Sequence, residues 1–459
     1  MATYTKTQYT HRFLARFVIE AKTPIAVGMG EKGFFTDSLV ATDVNGLPYI
    51  PATSIAGVVR SMVDKEKTLS VFGKQSSKSE ECRGSEIIFT EAKILDSTGM
   101  PVDGLNLEHA SADPLLREYK ALPIRQHVRI TDKGVAKRMG KFDEQIVYAG
   151  TRFCFEMEMV SDGSNLEQFK DILGQFNIGT FRLGSGTRKG FGEIEVVEQY
   201  YKVLDLTVEA DLQLYLSKSS NIAKPWHAWE VYQAETTVDA SQWVEYKLKL
   251  VPEDFFLFSS GFGDGEVDIT PVKTRKVVWQ QHQGALSEEL TLIPASSLKG
   301  AIAHRAAYHW NKLNAVFADD LHSAEEREQR VGNHNEAVRA LFGYEDNQSR
   351  IQKRGNLLFS DVIVDAALKD KILNHVTIDR FTGGTIDGHL FSEKVSCGNK
   401  MSFEFSIWVK QDAFEKPMVQ EALECTMKDI CKGLLPLGGG VNRGNGVFTG
   451  QCMRNGELL

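Results

Sequence analysis

An α+β fold, built twice in tandem, is what this sequence predicts, and three observations carry the prediction. Two Gly-rich runs, Leu183 to Gly192 and Leu437 to Gly446, share the pattern L-G-x-G-x-x-[KR]-G-x-G. Ile50-Pro51-Ala52-Thr53-Ser54-Ile55-Ala56-Gly57 reappears as Ile293-Pro294-Ala295-Ser296-Ser297-Leu298-Lys299-Gly300. Seven such markers keep one order, with offsets of 243 positions at the I-P motifs and 254 at the Gly runs. A domain-sized period indicates a duplicated tandem pair and no solenoid.

The first half opens on a strand in which Phe13, Ala15, Phe17 and Ile19 share one face. A loop carrying Asp37 and Asp43 follows. Thr53 or Ser54 is positioned to cap a helix whose apolar stripe is Ile55, Val58, Val59, Met62 and Val63. Arg83 to Glu91 reads as a strand, and residues 95–122 read as a loop insertion. His127-Val128-Arg129-Ile130 leads into the basic stretch TDKGVAKRMGK and then Phe142-Asp143-Glu144. Phe153 to Met159 alternates as a half-buried strand, and a helix over Leu166 to Phe176 precedes the first Gly run, which leads into a short strand.

The second half repeats this order. Val244, Tyr246, Leu248 and Leu250 alternate with charges, and a loop with Asp264 and Asp268 precedes the second I-P motif. Arg354 to Asp361 matches the Arg83 strand, while His375 to Asp379 and Phe391-Ser392-Glu393 match the His127 and Phe142 segments. Met401 to Ile407 alternates, and a helix over Val419 to Leu434 precedes the second Gly run. Strand, helix, strands, helix and a final strand suit a ferredoxin-like, split βαβ sheet with helices on one face. Such a sheet carries function on rim loops, where the acidic, basic and Gly-rich stretches fall. The expected division is residues 1–200, a partly ordered connector at 201–240 with Trp226 and Trp229, and residues 241–459.

Composition is that of a globular chain: 459 residues, 42% hydrophobic and 25% charged, with no apolar run long enough to span a bilayer. The N-terminus lacks the apolar core of a signal peptide. Six cysteines without a C-x-x-C pair read as reduced thiols in a cytoplasmic protein. A net charge of −8 argues against nucleic acid, yet basic residues gather between Arg125 and Lys141 and at both Gly runs.

Dense glycines at Gly184, Gly186 and Gly190, and at Gly438, Gly440 and Gly444, let backbone N–H groups converge on a phosphate, with Arg188, Lys189 and Arg443 adding charge. A tight structural turn would use the same residues. Asp37 alone reads as a solvated loop acid. His127 and His375 are open to two readings, general base or a hydrogen-bonded residue at a hairpin root, and their distance in sequence from the acidic loops favours the second. Met139 and Phe381, near the tips, suit either a wedge between bases or packing on a neighbour.

The I-P-[AG]-[ST]-S-[IL]-x-G helix start, the H-V-x-I stretch before a polar hairpin and the terminal Gly run together resemble the RAMP superfamily. More closely, they resemble the backbone subunits, the "Cas seven" family, of type III CRISPR–Cas effector complexes. Two copies in one chain are similar to the fused double-backbone subunits of type III-D. The resemblance implies an RRM-like palm, a β-hairpin thumb and a Gly-rich loop in each half, with a groove for guide RNA and thumbs that kink the guide–target duplex. It implies a loop Asp that promotes target-RNA cleavage beside each kink with a divalent cation, Mg2+ above all. Family members carry that Asp in a stretch like I-D-x-P-V-I-R-D-x-x-x-G-x-P-Y-I-P. Thr36-Asp37 through Asp43 to Ile50-Pro51 keeps both acids at that separation and nominates Asp37. Val267-Asp268-Ile269-Thr270-Pro271-Val272 nominates Asp268, although Thr274 replaces the second acid and RKVVWQQHQGALSEE is inserted before Ile293.

The residues expected to meet RNA are Ser54, Arg60, Arg125, Arg129, Lys137 and Arg138 on the first helix and hairpin. Arg182, Arg188 and Lys189 follow at the first Gly run, and Ser297, Lys299, Arg380 and Arg443 in the second half. Guide RNA, complementary target RNA, a large polymerase-like subunit and further backbone subunits are the implied partners, with no membrane. A non-catalytic RNA-binding subunit and a guide-processing endoribonuclease of the same superfamily are the competing functions. Processors depend on His or Tyr and carry one terminal Gly loop, whereas this chain has two. A Rossmann enzyme fits less well, since neither Gly run directly links a long strand to a following helix.

Overall fold

The structure, a computed structural model, describes every residue except 1–8, 29, 31, 32, 34, 35, 64–70, 75, 77–81, 132, 235–241, 347–349, 366, 367 and 398–400. The expected boundary at 240/241 lies outside the described residues. In the first half the antiparallel sheet runs Ile87–Phe89, Arg152–Ser161, His11–Ala21, Ile194–Asp205, with Glu230–Val231 added at the edge. In the second it runs Leu357–Leu358, Phe403–Lys410, Trp243–Pro252, Phe448–Arg454, with Glu457–Leu458 at the edge. Numbered within each half, both orders are 2-3-1-4, the ferredoxin-like arrangement.

Each sheet is closed on one face by two helices whose apolar residues recur every three or four positions. Phe169, Ile172 and Leu173 of Leu166–Gln175 pack with Phe13 and Phe17 of the first strand. Val419, Leu423, Met427 and Ile430 of Pro417–Cys431 pack with Tyr246 and Leu248. Pro417 begins that helix, where its missing N–H costs nothing.

The I-P motifs start helices at Ala52–Met62 and Ala295–Leu313, directly after Pro51 and Pro294. The expectation that Thr53 or Ser54 caps the first is therefore corrected: proline in extended conformation ends the preceding segment, leaving both hydroxyl residues inside the first turn. Residues 95–122 are likewise no simple loop. They fold as the helix Leu107–Ala112 and a 3-10 turn at Leu116–Lys120 that bury Leu116 and Tyr119 in the first core. The strand after the first Gly run is long, Ile194–Asp205.

Leu14 and Val18, on the far face of the first strand, are also buried, because the connector covers that face. Its helix Glu209–Ser217 is followed by Ile222, which packs with Val18, Leu95 and Cys154. Arg16 donates to the Ile222 carbonyl at 2.8 Å and pairs with Glu156 at 3.1 Å. No disulfide joins any of the six cysteines, and burial pushes the Cys154 and Cys452 thiols up to about 12, far from thiolate reactivity. Among the described residues no helix is long and apolar enough to cross a membrane.

Candidate nucleic-acid interface

Between the second and third strands of each half stands a hairpin. The first pairs Ile124–Ile130 with Ala136–Gln145, the second Lys369–Ile378 with Thr385–Cys397. The first exposes Met139 (97%) at an irregularity in its second strand and the second exposes Phe381 (99%) at its tip, and Arg129, Lys137, Arg138 and Arg380 are all exposed along them. Cations held out along a protruding hairpin suit a polyanion.

The hairpin roots are built alike. His127 Nε2 lies 2.9 Å from Glu144 Oε1 and His375 Nε2 lies 3.0 Å from Glu393 Oε1, each imidazole stacking on the Phe opposite, Phe142 or Phe391. A cation from the Gly run completes each root: Lys189 reaches Glu144 at 2.6 Å, and Arg443 pairs with Glu393. Burial pushes the Glu144 carboxyl up, but the bonds from His127 and Lys189 outweigh it and hold the group below its ordinary value. Stability from Glu144 is therefore present above the unfolded carboxyl value of about 4.3 and lost as pH falls through the lower folded value. Urea midpoints measured from about pH 6 down to pH 3 should fall, and Glu144→Gln should flatten that fall while lowering the neutral-pH plateau.

Both nominated acids close onto these roots. Asp37 N–H donates to Asp143 Oδ1 at 2.9 Å, and Asp143 N–H returns a bond to Asp37 Oδ2 at 3.2 Å. In the second half Asp268 N–H donates to the Ser392 carbonyl at 3.1 Å, and Ser392 N–H donates to Asp268 Oδ2 at 2.7 Å. Each exposed carboxylate thus uses Oδ2 to fix itself one residue before the buried glutamate, and Oδ1 makes no hydrogen bond among the described residues. The two halves also meet here, since Lys141 of the first hairpin lies 4.9 Å over the Phe262 ring of the Asp268 loop. Asp43 is a turn residue, accepting from Asn45 and Leu47 N–H at 2.8 and 3.0 Å.

The Gly runs are stapled to the segment that follows the first strand of each half. Ser185 N–H is spent on Ala26 and Gly192 N–H on Pro24, while Gly439 donates to Leu257 and Gly446 to Phe255. Gly184, Gly186, Gly190, Gly438, Gly440 and Gly444 all hold positive φ. A side chain at Gly190 would sit 2.5 Å from Ala295 Cβ and from Asp361 Oδ1, so the first run is packed against the second half.

Two of the cations expected to meet RNA are instead buried. Arg125 (7% exposed) donates to Asp361 Oδ2 at 2.8 Å and stacks on Phe191. Arg182 (6% exposed) donates to the Gly179 and Phe181 carbonyls and lies 3.4 Å from Ser360 and Glu193. Arg125 is spent across the seam between halves and Arg182 mainly on carbonyls of its own half, and both are buried. Arg443 and Lys189 are likewise held by the buried glutamates. Ser54 and Ser297 sit in first turns without capping, and Arg60 is exposed at the end of its helix.

One cluster at the seam has cations in excess. Arg188 donates to the Gly355 carbonyl at 2.7 Å, and Arg354 donates to Thr187 Oγ1 at 3.0 Å. Lys299, in the second turn of Ala295–Leu313, makes no hydrogen bond or ion pair among the described residues; burial and the neighbouring Arg188 and Lys189 charges push its ammonium below its ordinary value. Burial likewise lowers Arg188, with Arg354 beside it adding repulsion. Arg188, Lys299 and Arg354 thus bring three cations together beside the Ala295–Leu313 helix, whose first N–H is already taken by Asp361. Arg354 was missed by sequence reasoning as a member, as were Glu144 and Glu393 as anchors; the repeated F-x-E at 142–144 and 391–393 was the available signal.

The described carboxylates also bear on a cation. Asp96, His109 and Asp113 cluster elsewhere in the first half, but their oxygens are taken by Thr98, Met100, Ser97, Leu115 and Leu116. Asp37 and Asp268 each keep one oxygen unbonded among the described residues, which fits a largely hydrated divalent ion sharing a substrate phosphate.

Two ferredoxin-like halves, each with a protruding hairpin (basic in the first, charge-balanced in the second) and a loop carboxylate fixed at its root, define a tandem protein. The chain belongs to the RAMP superfamily, whose family model matches residues 18–195 and again 275–449. Among solved structures it is similar to one described as "Type III-B Cmr-beta Cryo-EM structure of the Apo state", at 17% identity and a TM-score of 0.30. That match covers 40% of this chain and 96% of the other. No curated protein matches.

Proposed function

We propose that this chain is a guide-RNA-binding backbone subunit of a type III CRISPR effector complex, cleaving bound target RNA beside the nucleotides its hairpins displace. The observation that carries RNA binding is the uncompensated cluster Arg188, Lys299 and Arg354 at the seam, flanked by the exposed cations of both hairpins. Base pairing supplies the sequence, so the protein needs only to hold backbone and shape.

Cleavage is carried by Asp37 and Asp268. With Oδ2 anchored, Oδ1 is free to orient a 2′-hydroxyl for in-line attack on the adjacent phosphorus, while the 5′-oxygen leaves. A divalent cation, Mg2+ by its chemistry, held by that oxygen and the phosphate would neutralise the developing charge. Met139 and Phe381 suit the wedge that opens the stack beside each carboxylate. Large polymerase-like and further backbone subunits complete the proposed assembly.

Filter binding of guide RNA by the full chain tests the first part. Lys299→Ala with Arg188→Ala should weaken binding several-fold and reduce the slope of log K against log salt by about 0.7 for each phosphate no longer neutralised. Unchanged affinity and slope would reject the seam as a place where RNA binds.

A further inference from the structure

Three stretches of this chain have no counterpart in its other half, and the structure brings all three to one place. Residues 95–122 stand where the second half has only 365–368. The connector follows Asp205, and the insert before Ile293 replaces what is a short turn in the first half, Asp43 N–H to Leu47 at 2.8 Å. That insert forms a hairpin, Val277–Gln280 with Gln283–Leu286, and Trp279 Nε1 on it donates to the Gly150 carbonyl at 2.7 Å. Gly284 N–H of the hairpin donates to the Ser97 carbonyl at 2.8 Å, and Ile222 N–H of the connector donates to Asp103 Oδ2 at 3.0 Å.

Between these segments and the far face of the first sheet lies a cavity of about 530 Å³, a size common among small-molecule sites. Trp226 and Trp229 of the connector form an aromatic corner on its wall, their rings at 84° with centroids 4.9 Å apart. Lys224 and His227 of the connector and His282 of the insert also line it, and their side chains make no hydrogen bond or ion pair among the described residues. The lining arginines, in contrast, are already paired, Arg16 with Glu156 and Arg152 with Glu20. Gln281 (φ 47°) and His282 (φ 66°) hold left-handed backbone in a two-residue turn that Asn and Gly would fill without strain. An imidazole kept at that cost suits a residue retained for its side chain. The same face of the second sheet carries Lys247, Lys249 and Glu404 paired with one another at the surface.

We infer that this cavity binds a nucleotide, either free or as an unpaired unit of an RNA strand. Indole faces stack on any base, and Lys224, His227 and His282 supply the positive side for its phosphate. Glu198 sets the direction. It is the one carboxylate on the lining; its Oε2 accepts from the Tyr200 hydroxyl at 3.3 Å and its Oε1 makes no hydrogen bond among the described residues. A phosphate is repelled from that oxygen, so the base lies toward the sheet and the phosphate toward the connector. Guanine, with its N1–H and N2–H donors side by side, is the base that gives a carboxylate two hydrogen bonds. An acidic peptide would meet the same cations but leave the indole faces and Glu198 unused. The inference is independent of RNA cleavage and of the cations at the seam.

Isothermal titration calorimetry of the full chain with the four nucleoside monophosphates and with short single-stranded RNA tests it. Guanosine monophosphate should bind saturably and more tightly than adenosine monophosphate, and Glu198→Gln should remove that preference; equal affinities in the parent overturn the base assignment. Lys224→Ala with His282→Gly should weaken binding at least about fivefold. The thermal midpoint of that variant should hold or rise, because glycine relaxes the turn. Unchanged affinity in it, no binding of any nucleotide or RNA, or binding of an Asp/Glu-rich peptide alone overturns the inference. Tighter binding of RNA ending in guanosine than of the free nucleotide assigns the ligand to a strand, and equal binding assigns it to a free nucleotide. The Lys299→Ala, Arg188→Ala variant should bind guanosine monophosphate as the parent does, so this inference and the proposed function fail separately.

Discussion

With Asp37→Ala and Asp268→Ala combined, a guide-loaded complex is expected to bind target RNA as the parent does, yet cut it about 10²- to 10⁴-fold more slowly at the positions this chain serves. The expectation follows from the arrangement at both hairpin roots, where one carboxylate oxygen is fixed by a backbone N–H and the other is free. Alanine removes both oxygens and with them the tie to the hairpin. Asparagine separates the two roles: its amide oxygen can still accept from Asp143 or Ser392 N–H, but it cannot take a proton or a cation. If Asp37→Asn and Asp268→Asn cut normally while the alanine variants do not, the acids are ties and no more. If every cut persists in the double alanine variant, this chain is a non-catalytic backbone. Each single variant reports on its own half, and Asp268 faces the added Lys141–Phe262 contact from the first hairpin.

The duplicated order of elements was legible in the sequence because periodicity and turn chemistry were repeated at matching positions, so each half corroborated the other. The hairpin roots were partly legible too: His127 and His375 stand at the roots, each beside a buried glutamate. What sequence could not reveal is which cations are spent. Arg125, Arg182 and Lys299 look alike along the chain, but their roles depend on a neighbour far off in sequence, such as Asp361, or on its absence. The same holds for glycine. Gly190 and Gly444 occupy one motif position, and only the packing shows that one lies in a seam and the other on a surface. Residues 95–122 were misjudged for a related reason: their short helices have too few turns for a clear period, and tertiary burial of Leu116 and Tyr119 holds them.

Arg125→Leu is expected to destabilise the chain by about 3–5 kcal/mol, the usual result of stripping one partner from a buried ion pair. Asp361 is fully enclosed: Oδ2 takes Arg125 at 2.8 Å, and Oδ1 takes the first N–H of the Ala295–Leu313 helix, also at 2.8 Å. Burial pushes its carboxyl up, and the guanidinium and that N–H oppose the rise. Without Arg125 the carboxylate either stays charged against an apolar wall or takes up a proton, and the Arg125→Leu variant should regain part of its loss as pH falls toward the raised Asp361 value. Asp361→Asn should cost less in that background, because the amide can still accept the helix N–H while carrying no charge. A double-mutant cycle by chemical unfolding gives the coupling directly. Additive losses would mean that Arg125 and Asp361 do not hold the halves together. A large favourable coupling, with the Arg125→Leu and Asp361→Asn pair recovering stability, would place the order of the two halves in this one buried ion pair.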